Sequence, residues 1–190
     1  MPPKRKNAKK KGKKPRRVVV VQPAKVVSAR PRRARRRRNG RGRGQGQNQS
    51  HEVDFKMTVD SIKGNDSGTI KFGPSTACQQ LRGNIAAYSK YRITWLKVWY
   101  ITEASSTDRG AISYHIDTST KGKPADLHNV TTWTIRLNGQ AEYTAPMLQN
   151  TDWYEQDKDQ FYFLYKGSGE GTVAGHFLFR GRVKVLNESL

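Results

Sequence analysis

The fold is decided by residues 173–185, which read VAGHFLFRGRVKV. The apolar side chains of this run recur at odd positions: Val173, Phe177, Phe179, Val183 and Val185. The cations fall between them, at Arg180, Arg182 and Lys184. Because successive side chains of an extended chain point to opposite faces, this alternation predicts a β-strand with one buried and one solvated face.

The same period of two recurs upstream and is interrupted by turn residues. Turns are predicted at residues 64–68 and at Asn138-Gly139, and a helix over residues 77–87 with its N-cap in residues 74–76. After Trp95 the apolar residues shift from odd to even positions, which predicts a bulge there or burial of both faces. Eight strands are predicted in all, at residues 53–59, 69–72, 91–100, 112–116, 133–137, 141–145, 161–165 and 173–185.

Many short strands separated by turns are typical of an antiparallel sandwich or barrel, and eight of them suit a jelly roll. We therefore predict an all-β fold, an eight-stranded antiparallel jelly-roll sandwich, over residues 51–190. All Phe, Tyr and Trp residues of the chain lie in this part. Only this part can build a core, and a disordered basic arm over residues 1–50 precedes it.

The charge of the chain is concentrated in that arm. Of the 190 residues, 36 are Lys or Arg and 15 are Asp or Glu, for a net charge of +21. Residues 1–50 hold 20 of the basic residues and no acidic one, so the remainder nets only +1. A segment with high net charge and no aromatic residues cannot bury enough apolar surface to order itself.

A disordered polycation requires a polyanion, such as nucleic acid, an anionic membrane surface or an acidic protein, and bulk neutralisation of nucleic-acid phosphates is the interpretation we favour. Without rings to stack on bases, the arm is expected to bind nucleic acid with little sequence preference. Nuclear import through an import receptor is an additional role that basic clusters support, whereas no amphipathic face favours a membrane. The predicted RNA-binding residues are Lys4, Arg5, Lys6, Lys9, Lys10, Lys11, Lys13, Lys14, Arg16, Arg17, Arg30, Arg32, Arg33, Arg35, Arg36, Arg37, Arg38, Arg41 and Arg43.

Catalytic chemistry finds little support in the sequence. A single cysteine, Cys78, excludes an intramolecular disulfide and a Cys-rich zinc site, and we expect it to be structural. His115 and His176 lie on polar strand faces, without a nearby serine and carboxylate that would indicate a triad. The glycines of residues 167–171 lack the following helix and the Gly-Lys-Ser/Thr ending of a phosphate cradle. We therefore expect neither an enzyme nor a cofactor, and no signal peptide or membrane span is indicated.

One acidic cluster stands out, formed by Asp152, Glu155, Asp157 and Asp159. Four carboxylates within eight residues offer hard oxygen ligands, so the cluster could hold Ca²⁺ between subunits. Its spacing does not match an EF-hand, and a solvated loop is the simpler interpretation.

Specific segments resemble a known family. GTIKFGPS (residues 68–75), AYSKYRITWLKVWYITEASST (residues 87–107), GAISYHID (residues 110–117) and residues 153–165 resemble the major coat proteins of the luteovirus, polerovirus and enamovirus group. The resemblance implies a jelly-roll shell domain, an inward RNA-binding arm, and a non-enveloped icosahedral particle of a plant virus. It also implies a minor coat protein extended by readthrough. We expect localisation in the virion and host cytoplasm, with the nucleus or nucleolus if the arm directs import.

The competing hypothesis is a cellular RNA-binding protein of ribosomal or nucleolar type with a basic tail. Such a protein usually carries basic or aromatic recognition residues on its folded domain. Here the folded part nets only +1 and lacks the aromatic pattern of an RNA-recognition motif. The coat-protein interpretation is therefore preferred.

Overall fold

The structure is a computed structural model, and it describes residues 50–127, 130–149 and 152–187. Within these residues the chain forms nine strands and one α-helix, α1 (Gln79–Ala86), with short 3₁₀ turns at Pro124–Asp126 and Ala145–Leu148. The strands are β1 (Ser50–Lys63), β2 (Ser67–Phe72), β3 (Lys90–Thr102), β4 (Ala111–Asp117), β5 (Thr131–Thr134), β6 (Gly139–Thr144), β7 (Tyr154–Glu155), β8 (Phe161–Gly167) and β9 (Val173–Leu186).

The strands form two antiparallel sheets. Sheet I has the order β1-β9-β3-β6, with β7 added beside the start of β3, and sheet II has the order β2-β8-β4-β5. Each sheet places a late strand, β9 or β8, between two early ones, so almost every pairing joins distant parts of the sequence. This is the topology of a jelly roll, and the predicted fold class is confirmed.

The core lies between the two sheets and is dominated by aromatic rings. Phe72, Phe161, Phe163, Phe177 and Phe179 are fully buried. Phe72 stacks on Phe161 at 4.9 Å between ring centroids, and Phe163 meets Phe179 edge to face at 5.3 Å. These are the inward positions of the alternating runs, so the period of two in the sequence is the pattern of burial in the structure.

All eight predicted strands are present, with two differences in detail. The predicted strand at residues 133–137 ends earlier, because the backbone turns after Thr134 and the N–H of Leu137 donates to the carbonyl of Thr134 at 3.1 Å. Leu137 is consequently 66 % exposed. Val173, predicted to face the core, is 43 % exposed because the register of β1 against β9 is irregular beyond Val59. The two-residue strand β7 was not predicted.

The predicted bulge is confirmed at Thr94. In the pairing of β3 with β9, Ile93 lies opposite Val183 and Trp95 lies opposite Arg182, so Thr94 is the extra residue. The helix is also confirmed but is shorter than predicted, and its N-cap is Cys78 without a side-chain cap. No helix in the described part of the chain is long and apolar enough to cross a membrane.

A buried glutamine hydrogen-bonds to the backbone at the outer edge of β3. The strand β6 covers β3 from Trp95 onward, and β7 covers its first two residues, which leaves Ile93 between them. The fully buried side chain of Gln160 accepts from the N–H of Ile93 at 2.6 Å and donates to its carbonyl at 3.1 Å. Within the described residues, the amide thus makes the hydrogen bonds that a neighbouring strand would make with Ile93.

Candidate functional site

The predicted RNA-binding residues between Lys4 and Arg43 lie outside the described residues. The described chain starts at Ser50, which opens β1 and pairs with Leu186 of β9. The arm is therefore joined covalently to the edge strand of sheet I.

The outer face of sheet I carries a group of nine charged side chains and two tryptophans. We call it the charged face, and it comprises Glu52, Asp54, Lys56, Arg92, Trp95, Lys97, Trp99, Glu142, Arg180, Arg182 and Lys184. The bulge at Thr94 brings Trp95 and the alternate residues after it to this face, because the extra residue shifts the alternation by one position.

Cross-strand registers arrange the charged face in rows. One row contains Lys56, Arg180, Lys97 and Glu142, since Lys56 pairs with Arg180, Arg180 with Lys97, and Lys97 with Glu142. Directly opposite residues of an antiparallel pair lie on the same face within about 5.5 Å between Cβ atoms. Three cations on three adjacent strands thus stand side by side, with one carboxylate at the end.

The neighbouring row combines ion pairs with a tryptophan. Arg182 lies between Asp54 and Trp95 and contacts Asp54 at 3.0 Å and Glu52 at 3.1 Å. The hydrogen bond from Arg182 to Asp54 raises the pKa of the guanidinium, with the charge of Asp54 adding to the effect. Glu52 and Asp54 are therefore already paired with β9, and Lys184 adds a longer contact to Glu52 at 3.7 Å.

A hydrogen bond from its indole N–H holds the side chain of Trp95 in place. Its indole N–H donates to Glu142 at 2.8 Å, and Lys97 pairs with the same carboxylate at 3.5 Å. The hydrogen bond from Trp95 holds the pKa of Glu142 below its ordinary value, and the charge of Lys97 acts in the same direction. On the next row the ring of Trp99 is covered by Lys97 at 5.2 Å and Arg180 at 5.6 Å from its centroid.

Two depressions flank Trp95. One, of about 360 Å³, is lined by Glu52, Thr94, Trp95, Arg182 and Lys184. The other, of about 250 Å³, is lined by Asp54, Phe55, Lys56, Trp95, Arg180, Gly181 and Arg182. Gly181 has no side chain, and a Cβ there would meet the ring of Phe55 at 2.3 Å, so this ring packs directly against the backbone of Gly181. Trp95 and Arg182 form the wall between the two depressions.

The structure separates the predicted acidic cluster into different environments. Glu155 pairs with Lys158 at 2.9 Å, and this hydrogen bond lowers the pKa of Glu155. Asp159 faces its own domain, because its Oδ1 accepts from the backbone N–H of Ser75 at 2.9 Å. Asp152 and Asp157 are exposed. Within the described residues no group of three or more metal-ligating side chains converges, so the four carboxylates do not form a cation site in one subunit.

The other residues considered in the sequence take structural positions. Cys78 is buried and its thiol donates to the carbonyl of Lys56 at 3.4 Å. His115 is exposed on sheet II. His176 contacts Glu103 at 2.6 Å, a partner that lies 73 residues away and was not predicted. Residues 168–172 form a loop between β8 and β9, in which the N–H of Gly169 donates to the carbonyl of Gly64 at 2.8 Å.

Asp117 organises the wall of a cavity of about 510 Å³ beside β4. Burial alone would raise the pKa of Asp117, but hydrogen bonds from Ser119, Gly122 and Lys121 lower it overall. Its two oxygens accept from Ser119 N at 2.9 Å, Ser119 Oγ at 2.6 Å, Lys121 N at 3.0 Å and Gly122 N at 2.7 Å. A carboxylate with four donors is occupied in holding its own loop.

Solved structures share the fold described above. The coat structure of Cocksfoot mottle virus aligns with a TM-score of 0.58 at 14 % identity, covering 90 % of this chain and 98 % of that one. At this identity the likeness concerns the fold alone. It supports the jelly-roll topology read from the strand order.

Sequence relatives are much closer. The major capsid protein of Pea enation mosaic virus-1 (strain WSG) is 51 % identical over 190 residues, covering 98 % of this chain and 97 % of the relative. The minor capsid protein P3-RTD of the same virus is also 51 % identical, but the chain spans only 37 % of that longer relative.

A protein-family model matches the part of the chain that forms the two sheets. The model of the luteovirus coat protein family matches residues 53–188, which is more than half of the chain. The predicted resemblance is therefore confirmed, and the protein is a structural component of a viral coat. The chain belongs to the luteovirus coat protein family.

Proposed function

We propose that this coat protein assembles into a closed, non-enveloped icosahedral shell of T=3-like geometry and packages single-stranded viral RNA through residues 1–50. The observation that supports packaging is the division of the chain. Residues 1–50 contain 20 basic residues, no acidic residue and no aromatic residue, and they are joined to a jelly-roll domain that nets +1. Family membership favours this function over a cellular RNA-binding protein.

Charge neutralisation supplies the mechanism. Each Lys or Arg that contacts a phosphate releases condensed counterions, so binding weakens steeply with salt and hardly depends on base sequence. About 180 subunits in a closed shell would carry on the order of 3,600 positive arm charges, which suits a single strand of several kilobases. Guanidinium groups add bidentate phosphate contacts in the second cluster, Arg30–Arg43.

Deleting the arm tests whether folding and RNA packaging belong to different parts of the chain. Deleting residues 1–49 leaves Ser50 in place as the first residue of β1. The truncated chain is expected to fold, as measured by circular dichroism and urea unfolding, but to package no RNA. A truncated chain that does not fold, or particles with the wild-type amount of RNA, would contradict the proposal.

A milder change separates packaging from nuclear import. Seven arginines lie between Arg30 and Arg38, and their replacement by Gln removes seven positive charges per subunit. We expect less or shorter packaged RNA, measured as RNA mass per particle, whereas replacement by Lys is expected to have a smaller effect. If the Gln variant packages full-length RNA at the wild-type amount, import becomes the better explanation of the arm.

We also propose that the exposed carboxylates of the acidic cluster lie at a contact between subunits, where Ca²⁺ or protons relieve their repulsion. Asp152 and Asp157 are the residues to change, because Asp159 is engaged within its own domain. Raising the pH with a chelator is expected to swell wild-type particles, as measured by sedimentation. Particles of D152N/D157N are expected to swell less. Equal swelling of both would refute the proposal.

The longer relative suggests a second form of the protein. Because the chain matches 37 % of a minor capsid protein, we propose that a readthrough-extended copy of it also enters the particle, in the virion and in the host cytoplasm. An antibody to residues 152–187 is expected to detect a minor band of higher mass in purified particles. A single band at the mass of the 190-residue chain would argue against it.

A further inference from the structure

We infer that the charged face of sheet I is a second RNA-binding surface, on which phosphates contact Lys56, Arg180 and Lys97 while an unpaired base stacks on Trp95. The inference rests on the proposed packaging of single-stranded RNA. It assigns to the folded domain a contact of a different kind from that of the arm, because the arm has no aromatic residue.

The phosphate contacts of the inference rest on the row of three cations, Lys56, Arg180 and Lys97. Like charges directly opposite one another on adjacent strands destabilise a sheet, and here two such pairs share Arg180. Lys97 is partly balanced by Glu142 at 3.5 Å. Among the described residues neither Lys56 nor Arg180 has a carboxylate partner, and both are exposed. A polyanion laid across the three strands would relieve the repulsion and gain three contacts.

The base stacking of the inference rests on Trp95. The indole is partly exposed, stands between two depressions, and is held by its hydrogen bond to Glu142. A fixed ring with open space on either side is suited to stacking, which holds single-stranded bases without reading their sequence. Trp99 is less suited, because Lys97 and Arg180 already cover its ring. Lys97 lies two residues after Trp95 on β3, and Arg180 lies two residues before Arg182 on β9, so the cation row is next to the row that contains Trp95.

Charge complementarity favours RNA over a second copy of the same face. The carboxylates Glu52 and Asp54 are both held by Arg182, so the remaining charge of the face is positive. A two-fold contact of the face with itself would bring cation rows together without a counterion. The arm continues directly into β1, which begins at Ser50.

The test uses the full chain and a labelled single-stranded oligoribonucleotide, with binding measured over a series of salt concentrations. We expect W95L to weaken binding about tenfold, since loss of one stacked base costs about that factor. We expect K56Q/R180Q to reduce the slope of log affinity against log salt by about 1.4, at about 0.7 per phosphate contact. The matched control K71Q/K166Q removes two exposed charges from sheet II and is expected to leave binding unchanged.

Ultraviolet crosslinking of assembled particles provides a readout that does not depend on affinity. RNA adducts on the β3 peptide that contains Trp95 would support the inference. Adducts confined to residues 1–49, with all variants binding RNA as the wild type does, would overturn it and leave the packaging function intact. A change in the sedimentation of RNA-free W95L or K56Q/R180Q without a change in RNA affinity would instead identify a subunit contact and overturn it. Failure of the wild-type chain to bind RNA would overturn both proposals.

Discussion

The two sheets share one core but present different outer faces. On sheet I the outward side chains are dominated by cations, carboxylates and two tryptophans. On sheet II they are mostly hydroxyl-bearing or small, with few charges: Ser67, Thr69, Lys71, Ser113, His115, Asp117, Thr132, Thr134, Tyr162 and Lys166, together with the buried Leu164. The inward side chains of both sheets are large and apolar.

The difference shows which positions the fold constrains. An inward position must fill space against the opposite sheet, so both sheets use the same few residue types there. An outward position has no such requirement, and any concentration of charge or aromatic residues on it calls for a reason outside the core. By this criterion the function of the folded domain is to be sought on the outer face of sheet I.

The largest effect is expected from the core that the sheets share. Phe163 of β8 meets Phe177 and Phe179 of β9 edge to face, at 5.5 and 5.3 Å. The substitution F163A is expected to lower the free energy of unfolding by about 3–5 kcal/mol, because it leaves a cavity between the sheets. Urea unfolding should remain a single transition by both tryptophan fluorescence and circular dichroism. Two separate transitions would show that the sheets are independent, and L137A at an exposed site serves as the control.

A somewhat smaller effect is expected at the edge of sheet I. The substitution Q160M keeps the length and burial of the side chain but removes the two hydrogen bonds that Gln160 makes with the N–H and the carbonyl of Ile93. Removing a buried hydrogen-bonding partner costs about 1–3 kcal/mol, so a loss of about 3 kcal/mol is expected in urea unfolding. The control Q140M changes an exposed glutamine of β6 and is expected to be near neutral. Equal stability of Q160M and Q140M would contradict the bridging role of Gln160.

The next effect concerns sheet II and depends on pH. The substitution D117N directs an amide toward backbone donors, and we expect it to cost about 2 kcal/mol at pH 7. The pKa of Asp117 is lowered in the folded state, so its stabilisation is present above the ordinary carboxyl pKa and is lost as pH falls through the lowered value. The difference in stability between wild type and D117N should therefore shrink on acidification. A constant difference between pH 7 and pH 3 would contradict this.

The sequence predicted the elements better than the contacts between them. The strands and the bulge at Thr94 follow from local alternation, which a single sequence displays. Gln160 gave no signal, because its partner Ile93 lies 67 residues away and nothing local marks a gap in a sheet edge. The acidic cluster was weighed as one candidate site, beside the simpler interpretation of a solvated loop, because its members are close in sequence. The turn after β7 directs Asp159 toward Ser75 instead, 84 residues away.

The cation row is the clearest example of a contact that the sequence alone did not predict. Lys56, Lys97 and Arg180 are separated by up to 124 residues in the chain, and only the registers of β1 and β3 against β9 bring them together. The near-zero net charge of the folded part concealed this row, because a sum over residues carries no information about their placement.

The smallest expected effect is the most specific for the contrast between the two faces. If Lys56 and Arg180 repel each other and Lys97, K56Q/R180Q should be slightly more stable than the wild type in urea at low salt, in the absence of RNA. Salt screens charges at this separation, so the gain should disappear at high ionic strength. The same change on sheet II, K71Q/K166Q, removes charges that do not lie directly opposite other cations, since Lys71 pairs with Tyr162 and Lys166 with Ser67 and Ser113.

A salt-dependent gain in the first variant alone would mean that sheet I keeps its cations at a cost to its own stability, as expected of residues retained for an anionic partner. An equal response of both variants, or a loss of stability in the first, would mean that the cation row is an ordinary solvated surface.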